Sequence, residues 1–278
     1  MSESAKVVIF LHVPKTAGTT CRSLIEQRYA AEETFTFTDF GDIARFRNLS
    51  QAVRDEYRCL QGHLTFGVHE YLSRPATYLT FLREPVDRLV SVYYFILGNP
   101  YHDLHDRFVR SGLSLREMVE HHPELLRDSG QVRLLAGVDV PFGGVTREHL
   151  ELAKANIEQH FPVVGLLERF DESLLMMAKE FAWSTPYYQR QNTTAVRPTV
   201  PELDPETRSA IERHNELDAE LWDFARARLQ RRIEALGPSF QKSLNAFRRA
   251  NERRRRMRLS WQRCQRRVGA FVRMLLCR

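Results

Sequence analysis

Val7-Val-Ile-Phe-Leu-His-Val-Pro-Lys-Thr-Ala-Gly-Thr-Thr20 joins a β-branched and aromatic run to a segment broken by Pro14 and Gly18. A short apolar run ended by turn formers predicts a buried strand at Val7 to Leu11. The residues beyond Gly18 predict a helix from Thr19 to Tyr29. Such a strand–loop–helix unit leaves backbone N–H groups unsatisfied at the head of the helix, where the helix dipole favours an anion. Lys15 adds a mobile positive charge, and Thr16, Thr19 and Thr20 carry hydroxyls able to donate to phosphate-like oxygens. The competing reading is an ordinary turn with a solvated lysine.

The loop is not a Walker loop. In G-x-x-x-x-G-K-[ST] the lysine follows the second glycine, whereas Lys15 precedes Gly18 by three residues. A P-loop kinase would also need a magnesium carboxylate, for which the sequence offers no candidate, and no metal is expected.

Outward from this unit, strands are predicted at Tyr57 to Gln61, Ala76 to Leu82 and Val163 to Leu167. Thr77-Tyr-Leu-Thr-Phe-Leu82 is nearly continuously apolar, as suits a sheet covered on both faces. Pro85 starts a helix in which Val86, Leu89, Val90, Tyr93 and Tyr94 recur at helical spacing. Further helices are expected at Ser114 to His121, Glu148 to Gln159 and Asp171 to Phe181, with Asp171 as a cap. An amphipathic pattern over Asp204 to Leu236 gives one long helix or a broken pair, stopped by Gly237-Pro238. Strands alternating with helices imply an α/β layered domain with a central, mostly parallel sheet flanked by helices. The expected division is a domain over 1–236 and a helical tail over 237–278.

The second strand–helix junction, Arg83-Glu-Pro-Val-Asp-Arg-Leu-Val-Ser91, puts Arg83 where a strand's carboxyl end meets the next helix. That is the usual ligand crevice of an open α/β sheet. The competing reading for Arg83 and Arg88 is surface ion pairing with Glu84 and Asp87, worth little.

The net charge of +6 is unevenly spread. Residues 245–278 hold 12 Arg and one Glu, leaving the body mildly acidic. The four cysteines are too far apart for a C-x-x-C motif and too few for a disulfide framework, so a reducing, cytoplasmic setting is expected. Val7 to Leu11 is too short for a signal peptide's apolar region or a membrane span.

With both junctions in view, the sequence resembles the PAPS-dependent carbohydrate sulfotransferases, in the group that includes the heparan sulfate 2-O-sulfotransferases. PAPS is 3′-phosphoadenosine-5′-phosphosulfate. Pro14-Lys-Thr-Ala-Gly-Thr-Thr20 is similar to that family's 5′-phosphosulfate loop, and Leu82 to Phe95 to its 3′-phosphate motif, R-[DE]-P-x-x-R-x-x-S. Gln61-Gly-His63-Leu-Thr-Phe66 is similar to the G-H-x-x-F segment carrying the 2-O group's catalytic histidine, although Gln61 stands where those enzymes have another His. Gly165 to Asp171, Gln191 to Thr194 and Glu216 to Phe224 are similar to later segments.

The resemblance implies a P-loop-like sulfotransferase fold and sulfuryl transfer from PAPS to a hydroxyl of a polysaccharide or glycolipid. It implies that Lys15 neutralises the leaving oxygen and that Thr16, Ala17, Gly18, Thr19 and Thr20 hold the 5′-phosphate. Arg83 and Ser91 would bind the 3′-phosphate. His63 is the candidate general base, because neutral imidazole accepts a proton near pH 7; His12 is its competitor. A soluble, bacterial-type member is expected, and the alternative from another class is a non-catalytic binder of anionic glycans.

Arg253-Arg-Arg-Arg256, with Met257, Trp261, Cys264, Val268, Phe271 and Leu275 at helical spacing, reads as a basic amphipathic helix. An anionic membrane surface, an anionic polysaccharide and a partner subunit all suit it, the membrane surface best. No nucleic-acid motif is present, and none is expected as a partner.

Overall fold

The computed structural model of the chain describes residues 6–126, 128–184, 187–188 and 198–276, the side chains of residues 259–276 excepted. In chain order its elements are β1 (Val7–Leu11), α1 (Gly18–Ile25), β2 (Thr34–Phe37), α2 (Asp42–Arg47), α3 (Gln51–Arg54), β3 (Cys59–Gly62), β4 (Ala76–Leu82), α4 (Pro85–Leu97), α5 (His105–Ser111), α6 (Leu115–His121), α7 (Gly130–Ala136), α8 (Arg147–His160), β5 (Val163–Leu166), α9 (Phe170–Glu180), α10 (Pro205–His214) and α11 (Glu216–Leu276). The five strands form one sheet in the order β2-β3-β1-β4-β5. All four pairings are parallel.

β1 lies at the middle of the sheet with all five residues buried, which is why its sequence is apolar without alternation. Its outgoing connection leads to β2 on one side, whereas that of β4 leads to β5 on the other. The carboxyl ends of β1 and β4 therefore flank a topological switch point. One core cluster joins the sheet to α1, α7, α8, α9 and α11. A second, helical cluster packs Val90 and Tyr93 of α4 against Phe108, Met118 and Ile211.

The expected strands at Val7 to Leu11 and Ala76 to Leu82 keep their bounds. Two expectations change, and one is refined. β2, Thr34-Phe-Thr-Phe37, is an additional edge strand; only Phe35 and Phe37 are buried, so its pattern is short. Asp171 does not cap α9, because a 3-10 turn over Leu167–Arg169 runs straight into the helix. Its carboxylate instead accepts from the Tyr188 hydroxyl at 2.5 Å and from Arg248 Nε at 3.0 Å. Gly237-Pro238 ends the first helical arm of α11 as expected, since Gly237 takes the non-helical φ 63° and ψ −161°, and a second arm starts directly beyond it across a kink. The arm after the bend packs Phe240, Leu244 and Phe247 into the main core.

Candidate active site

The residues following β1 take an irregular path that the sequence makes possible at a price in strain. Lys15 (φ 69°) and Ala17 (φ 67°) are both left-handed although neither is glycine. Each such residue costs about 1–2 kcal/mol, and strain of this kind is kept where the surroundings enforce it. Left-handed residues on both sides of Thr16, next to the first N–H groups of α1, give the loop a curved backbone of the kind that can receive an anion. Thr16 is buried and donates its hydroxyl to the Val13 carbonyl at 2.7 Å. That bond closes the turn. Lys15 Nζ stands 3.8 Å from the Phe95 ring centroid, a cation–π contact with α4.

Gly18 is required by its neighbour. A Cβ there would lie 1.6 Å from Nε2 of His12. The His12 ring lies between Phe10, 5.7 Å away, and His63, whose ring is stacked at 4.7 Å with 28° between planes. His12 extends the sheet by one residue, its N–H donating to the Gly62 carbonyl at 3.0 Å.

His63 is set by Gly62, whose φ of +124° no L-residue adopts comfortably and whose added Cβ would lie 2.1 Å from the Phe37 carbonyl oxygen. The next N–H, that of His63, donates to that same oxygen at 2.9 Å. Burial pushes the His12 imidazole down to about 3, helped by the charges of His63, Arg22 and Lys15. Burial also lowers His63, with Arg22 acting the same way and the Asp39 carboxylate opposing it. Both rings are therefore neutral at pH 7, the state in which an imidazole can accept a proton.

At the end of β4, Arg83 is buried, in contrast to the surface pairing considered from the sequence. Its guanidinium meets Asp87 at 2.6 Å and donates from Nη1 to the Lys15 carbonyl at 2.9 Å. Glu84 caps α4 by accepting from the Val86 and Asp87 N–H groups, although burial raises its carboxyl above the ordinary carboxylate range. Arg88 pairs with neither Glu84 nor Asp87. It faces Asp218 of α11 at 3.5 Å, both buried, and Asp218 also accepts from the N–H groups of Gln131 and Val132. Burial pushes Asp218 up, while Arg88 and these N–H groups oppose the rise. Gln131 closes the network with reciprocal bonds to the Arg83 backbone at 2.9 and 3.0 Å.

Lys15, Gly18, His63 and Arg83 thus meet at the carboxyl ends of β1, β3 and β4. Thr19 is exposed on α1, whereas Thr20 is buried there and Ser91 is buried on α4. The expected segment Gln191 to Thr194 lies outside the described residues. Gln131 and Asp218 escaped the sequence reading because a lone polar residue in a helix carries no sign of a partner 87 positions away. Phe40 escaped it too, and stands 6.1 Å from the His63 ring.

The family model for galactose-3-O-sulfotransferases matches residues 2–268 of this chain. Bovine galactosylceramide sulfotransferase is 28% identical over 273 residues, covering 90% of this chain and 63% of that protein. Bovine galactose-3-O-sulfotransferase 3 is 28% identical over 277 residues, covering 88% and 62%. The chain therefore spans less than two thirds of the length of these curated relatives. Among solved structures, a mouse sulfotransferase in complex with PAP is 14% identical, with 80% of this chain and 90% of that one covered. Its TM-score of 0.30 is too low to carry an argument.

Proposed function

The chain belongs to the galactose-3-O-sulfotransferase family, and from that premise we propose that it moves a sulfuryl group from PAPS to a hydroxyl of a galactose-containing acceptor. The observation that carries this reading is the 2.9 Å bond from Arg83 Nη1 to the Lys15 carbonyl, which ties the two motif stretches into one site 68 residues apart in sequence. Sulfuryl transfer, like phosphoryl transfer, depends on in-line positioning and on neutralising charge on the leaving oxygen.

In this reading the loop around Thr16, with the N–H groups of Gly18, Thr19 and Thr20, holds the 5′-phosphate of the donor. Arg83 and Ser91 serve the 3′-phosphate. Lys15 neutralises the oxygen that takes the electron pair as its bond to sulfur breaks. His63 takes the proton of the attacking hydroxyl as the new oxygen–sulfur bond forms. To do its part Lys15 exchanges Phe95 for phosphate. An exposed cation–π contact is worth about 0.5–1 kcal/mol, less than the about 1.5–3 kcal/mol of a hydrogen bond to a charged group.

The test is calorimetric titration of wild type and Arg83→Ala with PAP, with ATP as control. Binding of PAP that is weak for ATP and lost in the variant is the expected result. A folded wild type that does not bind PAP overturns the reading.

We also propose that the second arm of α11 rests on an anionic membrane surface. Arg249, Arg253, Arg254, Arg256 and Arg258 are exposed around Met257, itself 63% exposed. Each basic residue at an anionic leaflet contributes about 1 kcal/mol. No described helix is long and apolar enough to cross a membrane. A cytoplasmic setting is part of the same proposal, since anionic lipids face that side and Cys21 and Cys59 are buried free thiols.

A further inference from the structure

Two of the large apolar side chains left exposed on the described surface stand beside the two candidate catalytic residues. Phe95, 38% exposed, lies under Lys15. Phe40, 40% exposed, lies 6.1 Å from His63 with its ring inclined at 50°. Phe95 is occupied by the lysine, whereas Phe40 leaves part of its ring exposed beside His63.

Phe40 is held by a turn that is itself well bonded. The Thr38 N–H and hydroxyl both donate to Asp42 Oδ2 at 2.7 Å, and the Gly41 N–H donates to Asp39 Oδ1 at 2.7 Å. The turn therefore holds the Phe40 ring beside His63 and leaves the exposed Asp39 carboxylate near enough for its charge to act on that histidine. Sugar-binding sites need this pair of features: an apolar surface for the C–H face of the ring and a charged acceptor for its hydroxyls.

The stereochemistry of galactose fits the arrangement. Its axial O4 leaves the hydrogens of C3, C4 and C5 on one face as a continuous apolar patch. The equatorial 3-hydroxyl projects from the rim beside that patch. In a gluco-configured ring H4 points to the opposite face and the patch is broken. A galactose stacked on an aromatic ring thus directs its 3-hydroxyl sideways, towards whatever stands at the edge of the stack.

We propose that Phe40 and Asp39 form the acceptor subsite, with a galactose unit lying on the Phe40 ring and its 3-hydroxyl turned to His63. The subsite rests on the sulfotransferase reading above and adds to it the residues that select a neutral galacto-configured sugar.

The experiment measures initial rates with PAPS and either methyl β-galactopyranoside or methyl β-glucopyranoside, for wild type, Phe40→Ala and Phe40→Trp. PAP titration of each protein runs alongside. Loss of a stacking ring is expected to raise the galactoside KM about tenfold in Phe40→Ala. The preference for galactoside over glucoside should fall, the PAPS KM and PAP affinity should stay unchanged, and Phe40→Trp should keep the preference. An unchanged galactoside KM and unchanged preference in a Phe40→Ala protein that still turns over PAPS overturn the subsite alone. Absence of PAP binding by wild type overturns the sulfotransferase reading and the subsite with it.

Discussion

His63 owes its place to Gly62 and its neighbour to Gly18. The first glycine accepts a backbone conformation that residues with a side chain rarely adopt, and the second leaves room for the His12 ring on which His63 stacks. The environment then sets the chemistry. Because burial lowers His63 below its ordinary value of 6.5, its neutral form persists to more acidic pH. The acid limb of the kcat/KM profile is expected below pH 6.5, and a limb above that value would show that another group is the base. Lys15, Gly18 and Arg83 are legible from local sequence because each sits in a short junction between a strand and a helix, whereas His63, at the end of β3, is singled out by the family resemblance. Phe40 is not, since nothing in Asp39-Phe-Gly41 marks an exposed aromatic as facing a histidine more than 20 positions on.

At the scale of elements, the helices are set by their ends. Glu84 with Pro85 starts α4, Ser114 starts α6 and Asp204 with Pro205 starts α10, each with a side chain accepting a first-turn N–H. α11 behaves differently, because Gly237-Pro238 stops its first arm and a second arm starts at once across the kink. Local propensity predicts the break, but burial of Phe240, Leu244 and Phe247 keeps the next arm on the body. Phe247 is 2% exposed. Phe247→Ala is therefore expected to lower the unfolding free energy by about 3–5 kcal/mol, read from the urea midpoint; a change under about 1 kcal/mol, as surface positions give, would mean that the arm does not belong to the core.

At the scale of the whole molecule, charge is divided between a mildly acidic body and a strongly basic end, the two joined through the kinked helix α11. Co-sedimentation with phosphatidylserine vesicles is expected, weak with phosphatidylcholine alone and lost on joint substitution of Arg253, Arg254 and Arg256 by Ser. Equal binding to both vesicles, or to neither, counts against the membrane surface. Salt should weaken the binding, since the Debye length shrinks to about 3 Å at 1 M.

The sequence by itself determined the strand–loop–helix unit at Val7 to Thr20, the second junction at Arg83, the parallel α/β class and the basic end of the chain. These are carried by residues close together along the chain, where apolar periodicity, turn formers and charge act locally. Tertiary structure alone decided the strand order, the burial of Arg83 and Arg88, the Asp218 and Gln131 network and the stacking of His12 on His63. Those features join residues tens of positions apart, and which of them meet depends on how the sheet orders its strands and where the helices pack. No local preference of the chain encodes that choice.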